Sequence, residues 1–98
     1  MSILKLNANL QSHSFYVTLT EDTGKSYRFR LLSVHKYEDY VIRVRDEESG
    51  VEDEFSSTAR DSWNGHRWQR LWGKDPADGR SIYRGFYSLT GLNIEALK

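Results

Sequence analysis

The sequence predicts an α+β domain: an antiparallel sheet of about five to six strands in meander-like order, with one helix near residues 58–73 packed on it. Three observations carry this reading. Apolar and polar residues alternate with period two over three successive runs of the first half, turn-forming residues separate those runs, and one segment of the second half bears helix start and stop signals. The 98 residues fit a single domain spanning 1–98, since domains cluster at roughly 100–150 residues.

In chain order, Ile3 to Leu10 reads as an additional strand at the sheet edge. Phe15, Val17 and Leu19 then alternate with Tyr16, Thr18 and Thr20; Tyr27, Phe29 and Leu31 alternate with Arg28 and Arg30; Tyr40, Ile42 and Val44 alternate with Arg43 and Arg45. This is the pattern of strands buried on one face. Glu21-Asp22-Thr23-Gly24-Lys25 and Lys36 to Asp39 are the breaks between them. Asp46 to Gly50 reads as a further turn, leading into a strand from Val51 to Phe55.

Over 58–73, Thr58 stands at an N-cap position with Asp61 three residues on, Gly73 falls at the C-cap and Pro76 follows. On a helical wheel Trp68, Leu71 and Trp72 form an apolar stripe and Trp63 lies off it. Asn64-Gly65 supports the competing reading, a hairpin with short strands at Asp61–Trp63 and His66–Trp68. A loop from Asp75 to Gly79, a last strand from Ser81 to Leu89 and a turn of terminal helix over Asn93 to Lys98 complete the chain.

Composition excludes several classes of function. With no cysteine there is no disulfide, thiolate metal site or cysteine nucleophile. The seven glycines match neither GxGxxG nor GxxxxGK[ST], and no Gly-x-Ser-x-Gly elbow occurs. His13, His35 and His66 lack a ligand at metal-binding spacing, and the run from Asp46 to Glu54 lacks the frame of a helical calcium loop. No cofactor, metal or catalytic role is expected. No apolar run reaches signal-peptide or membrane-spanning length, so a cytoplasmic protein without a membrane partner is expected.

Charge is distributed unevenly behind a net value of zero. Residues 1–45 carry seven Lys/Arg and four Asp/Glu, residues 46–54 carry six acids and no base, and residues 55–98 carry seven Lys/Arg and four Asp/Glu. A neutral total speaks against a general nucleic-acid binder. Two segments are candidate partner-binding sites. One is the Trp/Arg-rich stretch, with Trp63, Arg67, Arg70 and Arg60 as its contact residues, because aromatics and arginine dominate protein–protein hot spots. The other is the acidic run, with Asp46, Glu47, Glu48, Glu52, Asp53 and Glu54; its simplest role is a solvated hairpin tip, its sharper ones docking on a basic partner or imitation of nucleic-acid phosphates.

In size, neutrality and aromatic-rich strands the chain resembles small accessory proteins of phages and mobile elements, a likeness of texture that carries no motif. The expected function is a small non-catalytic binding protein that modulates or inhibits a macromolecular partner, in the first place another protein. A single-stranded nucleic-acid binder using the Trp/Arg segment is the alternative, and a structural subunit of a larger assembly a third.

Overall fold

Period-two alternation becomes the wall of a closed barrel. The computed structural model describes residues 2–57, 67–71 and 85–97. Their elements are α1 (Ile3–Leu10), β1 (Tyr16–Glu21), β2 (Ser26–Lys36), β3 (Tyr40–Asp46), β4 (Glu52–Ser57), β5 (Arg67–Arg70), β6 (Tyr87–Thr90) and a short 3-10 helix, Ile94–Leu97. Each strand pairs antiparallel with the next, and β6 returns to β1 from Thr18↔Thr90 to Glu21↔Tyr87. Closure leaves neither β1 nor β6 as an open edge for another chain to extend.

The inward positions are those the alternation marks as apolar. Val17, Leu19, Phe29, Leu31, Val34, Tyr40, Ile42, Val44, Phe55, Trp68 and Tyr87 are all buried to 3% exposure or less. On β2 a register shift between Leu31 and Ser33 lets Leu31 and then Val34 both point inward, where strict alternation would turn Val34 to solvent. Aromatic side chains fill the width: Phe55 packs edge-on against Tyr87 at 5.2 Å and tilted against Phe29 at 5.8 Å. Gly91, just past β6, has a φ of +97°, and a Cβ there would lie 2.9 Å from the Tyr16 carbonyl oxygen. The absence of a side chain is what lets the chain pass so close to β1.

Two expectations are corrected. Ile3–Leu10 is a helix, not an edge strand: Ser2 caps it, its hydroxyl accepting from the Lys5 amide at 3.2 Å, and Leu6 and Leu10 reach the barrel core. The helix near 58–73 is overturned where that segment is described, since Arg67–Arg70 form β5, paired to β4 through Phe55↔Arg70 and to β6 through Trp68↔Tyr87. Trp68 is fully buried, as the apolar stripe implied, but Leu71 is 48% exposed. Trp72, Trp63 and the rest of 58–66 lie outside the described residues. The strand of the 81–89 segment is described as Tyr87–Thr90.

Besides the packing of Leu6 and Leu10, one polar side chain ties helix α1 to the wall. The Asn7 amide nitrogen donates to the Val34 carbonyl at 2.8 Å, and its oxygen accepts from the Val34 amide at 2.9 Å, so the carboxamide acts as a one-residue strand beside the β2 bulge. Asn7→Ala leaves both backbone groups without these bonds and is expected to cost about 2 kcal/mol in urea denaturation.

Candidate partner-binding surface

The two ends of the barrel differ in chemistry. At the end where β1, β3 and β5 finish and β2, β4 and β6 begin, the inward positions are Glu21, Tyr27, Asp46, Asp53, Arg70 and Tyr87. Arg70 Nη1 lies 3.2 Å from Asp53 Oδ2, and both side chains are nearly buried, at 12% and 6% exposure. Three rings surround the guanidinium, Phe55 at 5.3 Å, Tyr87 at 5.7 Å and Tyr27 at 6.0 Å. Its Nε has no hydrogen-bond partner among the described residues. Glu21 accepts from the Thr23 hydroxyl at 2.9 Å and from the Tyr27 hydroxyl at 3.3 Å.

Burial pushes the Tyr87 hydroxyl up to about 12; Arg70 opposes the rise, while Glu21, Tyr27 and Asp53 add to it. A free tyrosine ionises near 10, so the unfolded chain loses this proton first. Stability from Tyr87 is therefore complete below pH 10 and lost as pH rises toward 12. Melting temperatures followed from pH 9 to 12 should fall by several degrees more in the parent chain than in Tyr87→Phe.

Beside this end a recess of about 50 Å³ is lined by Phe29, Asp46, Ser49, Val51, Asp53 and Arg70. That is room for a few waters, whereas organic ligands occupy sites of roughly 300–1,000 Å³. No cluster of three or more metal-ligating side chains occurs among the described residues, and none of their helices is long and apolar enough to cross a membrane.

The acidic run is built into the β3–β4 hairpin. Asp46 Oδ1 accepts from the amides of Glu48 and Ser49 at 2.8 and 3.1 Å, and Gly50 takes a φ of +74° to close the turn. Asp53 points inward to Arg70 and also accepts from the Glu54 amide at 2.8 Å. Glu52 receives Arg43 at 2.8 Å and Arg45 at 2.9 Å, and hydrogen bonds from Arg45 first and Arg43 second hold its carboxyl below the usual carboxylate range. Glu54 stands directly across from Arg43 on the outer face. Glu47 and Glu48 project from the tip into solvent.

The other predicted residues are separated. Arg67 and Arg70 lie on opposite sides of β5: Arg67 faces outward, 5.5 Å from the exposed Phe86 ring, while Arg70 faces the interior. Trp63 and Arg60 lie outside the described residues.

What sequence reasoning did not single out is a track of arginines on the outer face of β2 and β3. Arg28 and Arg30 alternate outward along β2, and Arg43 and Arg45 along β3. Register places Arg30 directly across from Arg45 on one side and from Tyr16 on the other. The Arg28 guanidinium lies 4.3 Å over the Tyr16 ring. Further along β2, His35 stacks on Tyr37 with centroids 6.2 Å apart, and Tyr37 is 71% exposed. The signal was present, because alternation puts these arginines on the side opposite Phe29, Leu31, Ile42 and Val44; only the register between strands was missing.

No protein family, curated protein or solved structure matches this chain.

Proposed function

We propose that the chain is a non-catalytic binding protein that acts through the exterior of its barrel on a macromolecular partner. The observation that carries this is the pairing of a filled interior with a charged exterior. The described interior is occupied by buried aromatic and aliphatic side chains, and at the end bearing Arg70 the ion pair Arg70–Asp53 and the bond from Tyr27 to Glu21 engage polar side chains with one another. The outer face of β2 and β3, by contrast, sets four arginines side by side, with Arg30 across from Arg45. Glu52 compensates Arg43 and Arg45 within the fold, whereas Arg28 and Arg30 have no carboxylate partner among the described residues, and that uncompensated charge is what a partner can use.

The expectation from sequence put a protein first and nucleic acid second. The arginine face favours a partner, of either class, that presents negative charge. The test is capture from host lysate on tagged protein, beside a variant carrying Arg28→Gln and Arg30→Gln, with and without nuclease. Selective retention by the parent chain of one species that the double variant releases supports the reading. Equal retention by both, or none by either, removes it.

A further inference from the structure

Building on the binding reading, we infer that the outer face of β2 and β3 is a binding site for single-stranded nucleic acid. Four features of that face point to this ligand rather than to an acidic protein.

The first is the shape of the charge. Arg28, Arg30, Arg45 and Arg43 do not form a round patch. Arg28 and Arg30 follow each other on β2, Arg45 is level with Arg30, and Arg43 is level with Ser33 further along. Together they make a track that crosses from β2 to β3 and suits a linear polyanion. The second is its net charge. Glu52 binds both Arg43 and Arg45 with one carboxylate and Glu54 stands across from Arg43, so four positive charges face two negative ones, and among the described residues Arg28 and Arg30 have no carboxylate partner. Within a chain of zero total charge the track itself therefore carries an excess of two positive charges.

The third is the aromatic content. Tyr16 lies beside one end of the track and the His35–Tyr37 pair beyond the other, about 20 Å apart at roughly 3.3 Å per strand residue. Tyr16 is half-buried under Arg28, so the exposed His35–Tyr37 pair is the stacking platform, and an exposed ring beside a backbone-tracking row of cations is how non-specific single-strand binders hold bases and phosphates together. An acidic peptide needs the cations but not the rings. The fourth is preorganisation. Contact with the Tyr16 ring at 4.3 Å holds the Arg28 guanidinium against the sheet, and a guanidinium so held can meet a phosphate in bidentate fashion.

The test is fluorescence anisotropy of the full chain with a labelled oligothymidylate of about 12 nucleotides, within the roughly 4–16 that a small barrel covers. Binding is expected with a Kd between about 10⁻⁶ and 10⁻⁴ M at physiological salt, and tighter below it. With about three phosphates neutralised, log affinity should fall with log salt at a slope near −2, so a fourfold rise in salt weakens binding roughly twenty-fold.

Arg30→Gln should weaken binding about tenfold while its melting temperature stays level or rises, because the charge across from Arg45 is removed. Tyr37→Ala should weaken binding roughly fivefold or more with no loss of stability, since its ring is 71% exposed. Absence of binding up to about 1 mM, or unchanged affinity in both folded variants, overturns the inference. So does displacement of the oligonucleotide by polyglutamate at equal charge, with Tyr37→Ala silent; that result marks the face as a site for acidic protein. These negative outcomes leave the broader binding reading to be decided separately by the lysate capture.

Discussion

Trp68→Ala is expected to cost about 3–5 kcal/mol, a large part of the roughly 5–15 kcal/mol that holds a domain folded. Trp68 is fully buried on β5, across from Ser57 on β4 and Tyr87 on β6, where the last strands close the ring. Deleting the indole opens a cavity at that seam, and β5, with only four residues, has few other anchors. Trp68→Phe should cost far less. The indole Nε1 is buried without a hydrogen-bond partner among the described residues, so phenylalanine loses area but also removes an unsatisfied donor. Urea denaturation of the three proteins checks this. Equal losses in the two variants would mean that Trp68 acts through its N–H and not its bulk.

The same residue shows how far the sequence could be read. The first three strands of the barrel were legible because each alternates for five residues or more against polar neighbours, a period that only a half-buried strand satisfies. The β5 segment offers Arg67, Trp68, Gln69 and Arg70, too short a run to reveal a period, and helix-ending signals around it outweighed the alternation. What settles it is long-range: β6 pairs with both β5 and β1, and the ring cannot close without β5. Ile3–Leu10 failed in the opposite direction. Leu6 and Leu10 stand four apart, a helical spacing, but an eight-residue apolar–polar mixture fits a strand template as well. The Ser2 cap, the burial of those two leucines and the Asn7–Val34 pairing distinguish them.

The candidate surface was legible in composition but not in arrangement. Arginine and aromatic residues were visible as the contact types, yet Arg70 and Asp53, read as outward candidates, are placed inward by the register Phe55↔Arg70. Arg30 and Arg45 are 15 positions apart and become neighbours only when the β2–β3 hairpin is in register. Turn chemistry could indicate that hairpin, but the bulge between Leu31 and Ser33 shifts the pairing in a way that no local rule supplies.

The interior ion pair leads to the second large effect. Asp53→Ala is expected to cost about 3–5 kcal/mol, because it strands the Arg70 guanidinium, already lacking a partner at Nε, in a nearly closed site among Tyr27, Phe55 and Tyr87. Arg70→Met in turn takes the Arg70 guanidinium away from the buried Asp53, which keeps the bond from the Glu54 amide at 2.8 Å. Charged pairs this buried recover little more than their desolvation, so the pair itself need not stabilise the barrel. The double variant Asp53→Ala with Arg70→Met should therefore be far closer to the parent than the sum of the single losses. A coupling of 1 kcal/mol or more in the double-mutant cycle, about the strength seen between contacting groups, is the expected result. Additive losses would show that each side chain holds the open end through its packing alone, and the ionic account of that end would fall. Because Asp53 and Arg70 face inward and the arginine track faces outward, oligonucleotide affinity should follow none of these changes in the variants that remain folded.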